Sequence, residues 1–131
     1  MHKQIKELEE VNYQILPANE VSEYIQNMAK EEWEPEDFEL YGDDLNESEW
    51  KLEEVELDQI TMRADLLASK EFIKDVEPRV ENQLKIIPTG VAIPPLILRG
   101  SDLLIFDGYA RTNALKKLGK KKCLAYVGQR T

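Results

Sequence analysis

The spacing of apolar residues along this chain changes several times, and each change marks an element. Over residues 3–11, Ile5, Leu8 and Val11 recur at every third position, which predicts a short amphipathic helix. After Pro17, Asn19 is placed to cap a second helix in which Val21, Tyr24, Ile25 and Met28 share one face, ending before Trp33 and Pro35. Residues 31–48 are acidic and carry a Gly-Asp-Asp turn signal at Gly42 to Asp44, so a loop or short helical turns are expected there.

Trp50 and Leu52, then Val55 and Leu57, alternate in two registers offset at Glu53 and Glu54, the pattern of a strand with a bulge. Met62, Leu66, Leu67, Phe72, Ile73 and Val76 fit a helical period. Pro78 is suited to open a further helical segment through Leu84, so two helices are expected to meet near it. Gly90, Pro94 and Pro95 punctuate the chain before LILRGSDLLIFDG, which reads as a hairpin turning at Gly100, Ser101 and Asp102. Beyond Phe106 the period lengthens to that of a helix, with Ala110, Ala114, Leu115 and Leu118 on one face and Gly119 at its end. KCLAYVG supplies a last strand. Residues 103–106, this helix and residues 123–127 read as a short βαβ unit whose crossover should be right-handed.

A length of 131 residues, 42% hydrophobic and 33% charged, suits one domain with a real core. The first 48 residues are too few for a core of their own. Residues 1–48 are therefore expected to be an acidic helical extension packed on a main domain of residues 49–131, and the fold class is α+β. No apolar run approaches bilayer length, and MHKQIKELEE lacks the apolar centre of a secretion signal. A soluble cytoplasmic protein with no membrane association is expected.

Cys123 is the single cysteine and His2 the single histidine, which excludes an internal disulfide and argues against zinc. Net charge is −9, unevenly distributed: residues 1–80 hold 8 Lys/Arg against 23 Asp/Glu (net −15), residues 81–131 hold 9 against 3 (net +6). Such an acidic chain gains little from counterion release, which disfavours non-specific nucleic-acid binding.

Candidate chemistry concentrates in FDGYARTNALKKLG, residues 106–119. Where a strand turns into a helix, the first-turn N–H groups lack helical partners and the dipole adds partial positive charge. Gly108 admits a ligand close to the backbone, while Arg111 and Thr112 supply a guanidinium and a hydroxyl, a set that suits a phosphate. Tyr109, beside Gly108, is expected to be exposed near any bound anion. The plain alternative makes Asp107 a helix cap, Gly108 a turn residue and Arg111 a surface cation.

The order strand, Asp107-Gly108-x-x-Arg111, Ala-bearing helix, glycine, basic cluster, strand, preceded by PPLILRGSDLLIFDG, resembles the ParB/sulfiredoxin-like superfamily over about residues 50–128. That resemblance implies a small mixed sheet with helices, and a glycine turn that grips a nucleotide's phosphates. It matches Gly108 and Arg111 to the phosphate-contacting positions, and Asp107 to the acidic residue of the superfamily's free-serine kinases. It implies a carboxylate from early in the domain as a catalytic partner of Asp107, with Glu54 or Glu56 in that place. Phosphotransfer or nucleotide hydrolysis, with a nucleotide and Mg²⁺, is the corresponding chemistry. Tyr109 stands where sulfiredoxins carry their reactive cysteine, and Ala110 where they and the kinases carry histidine, which disfavours peroxiredoxin repair. Tyr109 and Ala110 also replace a Glu and an Arg of the ParB turn, against CTP hydrolysis. The chain ends at Thr131 without room for ParB's helix-turn-helix, which disfavours DNA binding or nicking.

Other residues have ordinary readings beside functional ones. Cys123 lies in a predicted strand, where a small buried hydrophobe is expected rather than a nucleophile. Lys116, Lys117, Lys120, Lys121 and Lys122 form either a basic patch or cations that complement a helix end. Glu32, Glu34, Glu36, Asp37, Glu39, Asp43 and Asp44, with Glu53, Glu54, Glu56 and Asp58 around the strand, read as a solvated acidic face, or as the source of a pair that binds Mg²⁺ or acts as a base if folded towards Arg111. Trp33 and Trp50 read as covers of a core edge, or as rings that stack on a base. The partners expected are thus a nucleotide or other phosphate-bearing small molecule, or else a protein docking on the acidic face of a non-catalytic interaction module.

Overall fold

The structure is a computed structural model that describes residues 11–130, so the helix expected over residues 3–11 lies, Val11 apart, outside the described residues. Its helices of more than one turn are α1 (Ala18–Glu32), α2 (Pro35–Glu47), α4 (Lys70–Ile86) and α5 (Tyr109–Lys117), with a single turn α3 (Ala64–Leu67) between. The strands are β1 (Ser48–Glu56), β2 (Leu96–Arg99), β3 (Ile105–Asp107) and β4 (Lys122–Arg130). They form one mixed sheet in the order β1-β4-β2-β3, antiparallel between β1 and β4 and between β2 and β3, parallel between β4 and β2. The fold is α+β.

Alternation along the strands assigns each sheet face to its own helices. Cys123, Ala125 and Val127 of β4, Leu96 and Leu98 of β2, Ile105 of β3 and Val55 of β1 pack with Val76, Val80, Ala114 and Leu115 of α4 and α5. Tyr126, Ile97 and Phe106, their neighbours on the opposite face, pack with Val21, Ile25, Met28, Trp33 and Leu45 of α1 and α2. Helices therefore cover both faces, and β4 is buried through its middle.

Three expected elements took different shapes for identifiable reasons. The acidic stretch expected to be a loop or short helical turns is instead the continuous helix α2, with Pro35 in its first turn and a capping box in which Glu34 and Asp37 each satisfy the other's backbone. Its helical face consists of Asp37, Tyr41, Asp44 and Leu45, and Gly42 to Asp44 lie inside it rather than in a turn. The bulge expected in β1 is absent: Ser48 to Glu56 pair without interruption with Arg130 to Lys122. Pro78 lies inside α4 and does not divide it; the break falls earlier, at Ala68 and Ser69, where Ser69 caps α4 by accepting from the Phe72 N–H at 3.2 Å. Likewise α1 starts at Ala18 behind Pro17, with no side-chain cap from Asn19.

The expected βαβ unit is also corrected. β3 runs antiparallel to β2, which is parallel to β4, so β3 and β4 are neither parallel nor neighbours. The parallel pair is β2 and β4, and β3 with α5 forms its crossover. The hairpin between β2 and β3 does turn at Gly100 to Asp102, where Asp102 pairs with Arg99 and accepts the Leu104 N–H at 3.1 Å. Helix α5 ends in a Schellman motif: Gly119, at φ 79°, donates to the Lys116 carbonyl and Lys120 donates to that of Leu115.

Two ion-pair networks fasten α2. Arg63, only 6% exposed, binds Asp37 of α2 and Asp65 of α3, both at 2.6 Å, and its guanidinium lies over the Tyr41 ring at 5.0 Å. Arg99 and Arg130 both reach Asp44 at 3.2 Å, and Arg130 also reaches Glu47. Asp37 and Asp44 therefore belong to a semi-buried seam, not to the solvated acidic face expected of them.

Removing Arg63 leaves Asp37 without its partner, so Arg63→Ala should lower the unfolding free energy by about 3 kcal/mol in urea titrations. Hydrogen bonds from Arg63 and Arg99 hold the Asp65 and Asp102 carboxyls below the usual carboxylate range. A depressed carboxyl pKa contributes stability that is present above the unfolded value, about 3.9, and is lost as pH falls through the folded one. The urea midpoint should thus hold above about pH 4 and drop below it, with a shallower drop in Asp65→Asn and Asp102→Asn.

Candidate functional site

The junction of β3 and α5 falls where the sequence places it. Asp107 ends the strand, Gly108 is the N-cap residue at φ 112° and ψ 25°, and Tyr109 begins the helix. The positive φ favours glycine, and a Cβ at Gly108 would sit 2.3 Å from Leu96 Cδ2 and 3.2 Å from Arg111 Nη2. No side chain caps this helix, so its first amides are left to other partners. Arg111 folds back across the glycine: its Nη2 lies 3.2 Å from Asp107 Oδ2 and 3.5 Å from the Pro95 carbonyl, and its Nε is buried with no hydrogen-bond partner.

The remaining residues of the turn point inward. Tyr109, expected to be exposed, is buried: its hydroxyl accepts the Arg63 N–H and donates to the Arg63 carbonyl, and its ring meets Phe72 edge to face at 5.0 Å. Burial raises the Tyr109 hydroxyl's pKa, and only in part do the Arg63 backbone and guanidinium offset it. Thr112 is fully buried and its hydroxyl donates to the Gly108 carbonyl at 2.8 Å, so it is spent inside the helix. The reason is one of period: 109 and 112 lie on the face of α5 that packs against the core, with Leu115. Sequence spacing held this signal, since Tyr109, Thr112 and Leu115 recur every third residue.

Glu54 is not brought to the turn. β1 and β3 are opposite edges of the sheet with β4 and β2 between them, about 14 Å apart at ordinary strand spacing. Glu54 instead lies 3.6 Å from Lys122 Nζ, and Glu56 is exposed on the same edge strand. Among the described residues, no group of three or more His, Cys, Asp or Glu is arranged to hold a metal ion. Asp107 is the carboxylate that the fold does place at the turn.

A groove of about 190 Å³ opens beside this junction, lined by Gln14, Leu16, Tyr24, Pro94, Pro95 and Tyr126. Pro95 joins it to the turn, because its carbonyl faces Arg111. Tyr24 and Tyr126 meet edge to face at 6.4 Å, and the Tyr126 hydroxyl accepts the Leu16 N–H at 3.0 Å. Sequence reasoning passed over these residues because the groove is assembled from four separate segments. Trp33 and Trp50 are elsewhere, in an aromatic cluster around Phe106, with Trp33 5.4 Å from the Phe106 ring. Trp50 also lies against Gly128, where any Cβ would approach its ring within 2.6 Å.

Cys123 is buried in β4 on the α4 and α5 side, and burial pushes its thiol up to about 12. Lys116 and Lys117 occupy the last turn of α5, the position that complements the dipole.

This α+β fold resembles solved ParB N-domains over part of its length. One structure of a pNOB8-like ParB N-domain aligns with a TM-score of 0.49 and 23% identity over 65% of this chain and 32% of that one. A second aligns with a TM-score of 0.41 and 25% identity over 63% of this chain and 28% of the other. The chain thus spans about a third of the length of these structures. No family model matches the chain, and no curated protein does. Among the described residues, no helix is long and apolar enough to cross a membrane.

Two outcomes check this geometry. Iodoacetamide at pH 8.5 should leave Cys123 unmodified in the native protein and alkylate it fully in urea, read by mass spectrometry; native labelling at the denatured rate would contradict the buried thiol. Gly108→Ala should destabilise the fold by more than about 1 kcal/mol, beyond the ordinary glycine-to-alanine effect, because of its φ and its contact with Leu96.

Proposed function

We propose that this chain binds a phosphate-bearing ligand of the nucleotide class at the start of α5. The observation that carries the reading is the uncapped helix N-terminus with the Arg111 guanidinium folded over Gly108 beside it. Amides and guanidinium converge where the dipole's positive end lies, which is the arrangement an anion requires. The Asp107 carboxylate now occupies Arg111 at 3.2 Å, and a phosphate would take its place on the guanidinium. The adjoining groove supports a nucleoside rather than a bare anion, since Leu16, Tyr24, Pro94 and Pro95 give it an apolar and aromatic lining.

The residues available favour binding over turnover. Tyr109 and Thr112 are committed to the interior and Glu54 to another edge of the sheet, so Asp107 and Arg111 are the ionisable groups at the turn. Asp107 is the residue suited to hold a ligand-borne Mg²⁺ there, and a protein partner on the acidic α2 side is compatible with the same reading.

A thermal-shift screen of inorganic phosphate and of nucleoside di- and triphosphates, with and without Mg²⁺, tests the proposal. A ligand at a hundred times its Kd stabilises by about 2.7 kcal/mol, a shift of several degrees. The rise should appear with nucleotides, be weaker with phosphate alone, and vanish in Arg111→Ala. No response to any of these ligands, or an undiminished response in Arg111→Ala, would overturn it.

A further inference from the structure

We infer that β1 is a self-complementary edge through which two copies of this chain join their sheets into one. β1 is nine residues long and is the terminal strand of the sheet, paired only with β4 among the described residues. Leu57 N–H donates to the Lys121 carbonyl at 2.8 Å, immediately beyond the Glu56–Lys122 pair. Alternation of the ladder then turns odd-numbered residues of β1 toward β4 and leaves the N–H and C=O groups of Trp50, Leu52 and Glu54 facing outward. Such a row is a template for another strand. No proline or bulge blunts β1; the guard it does carry is charge, Lys51 among the four glutamates Glu49, Glu53, Glu54 and Glu56, so the pairing of those charges decides what the edge accepts.

The side chains select the partner and the register. An isologous two-fold contact between equal strands is antiparallel. Centred on Leu52, it places Leu52 opposite Leu52 of the second copy as a hydrogen-bonded pair, and Trp50 opposite Glu54. In this register Lys51 faces Glu53 twice, once on each side of the axis, and all nine residues are paired. Sliding by two residues in one direction opposes Lys51 with Lys51, and in the other Glu53 with Glu53, so like charges reject both neighbours. Leu52 is 39% exposed in the single chain and would be covered at the centre. Lys51 and Glu53 are exposed and, among the described residues, have no ion pair within the chain, so the second copy satisfies charges that the first leaves open.

Sedimentation equilibrium of the full chain from micromolar to high-micromolar concentration tests this inference. The parent should show a monomer–dimer equilibrium. Lys51→Glu converts both Lys–Glu pairs into like-charge pairs and should weaken the dimer by about tenfold or more. Combining Lys51→Glu with Glu53→Lys re-creates both attractive pairs and should restore it. Leu52→Pro removes an outward N–H and should also give a monomer, while circular dichroism and the melting temperature report whether each variant stays folded. A parent that remains monomeric throughout, including one that pairs only with a foreign basic peptide, would overturn the inference. So would a dimer indifferent to Lys51→Glu.

Discussion

Arg63 is where the two helical layers of this protein meet. Its guanidinium is shared between Asp37 on α2 and Asp65 on α3, while its backbone N–H and C=O are both engaged by the Tyr109 hydroxyl at the start of α5. One residue therefore ties the helix covering one face of the sheet to the helix covering the other, around the β3 edge. Burial opposes charging of this guanidinium, and the Asp65 and Asp37 hydrogen bonds more than offset it, so its pKa lies above the ordinary arginine value. The orientation of Tyr109 follows from this clamp, and so does the geometry of the turn that Tyr109 begins.

That clamp also explains what the sequence could and could not disclose. The strand-to-helix junction at Gly108 and the end of α5 at Gly119 were legible, because each is set by local backbone chemistry at a glycine, and the hairpin at Gly100 to Asp102 was legible from its turn residues. The fate of residues 31–48 was not. Their carboxylates read as solvent-facing, whereas Asp37 and Asp44 find cations at 63, 99 and 130 that no local pattern connects to them. Helix periodicity of Asp37, Tyr41 and Asp44 was present, but it was carried by polar residues, which hydrophobic spacing does not register.

The candidate site divides along the same line. Asp107, Gly108 and Arg111 converge as their spacing implies, since all three sit within one turn of chain. Tyr109 and Thr112 do not join them: an intervening 3.6-residue period rotates them inward, where Arg63 and the Gly108 carbonyl use their hydroxyls. Glu54 depended on strand order, which lies outside what spacing can specify. Swapping the order of the sheet would have carried it to the turn; the observed order puts it at the far edge.

The position of β4 has a consequence for how the chain acquires its structure. It lies between β1 and β2, and it is the last of the four strands to be synthesised. Until it emerges, β1 has no neighbour and β2 lacks its parallel one, so the earlier strands cannot assemble beyond the β2–β3 hairpin. Sequence-distant pairing of this kind slows folding and leaves apolar strand surface open meanwhile. During translation the helices and the hairpin can form as the ribosome releases them, but the sheet itself must close late, when β4 inserts between β1 and β2.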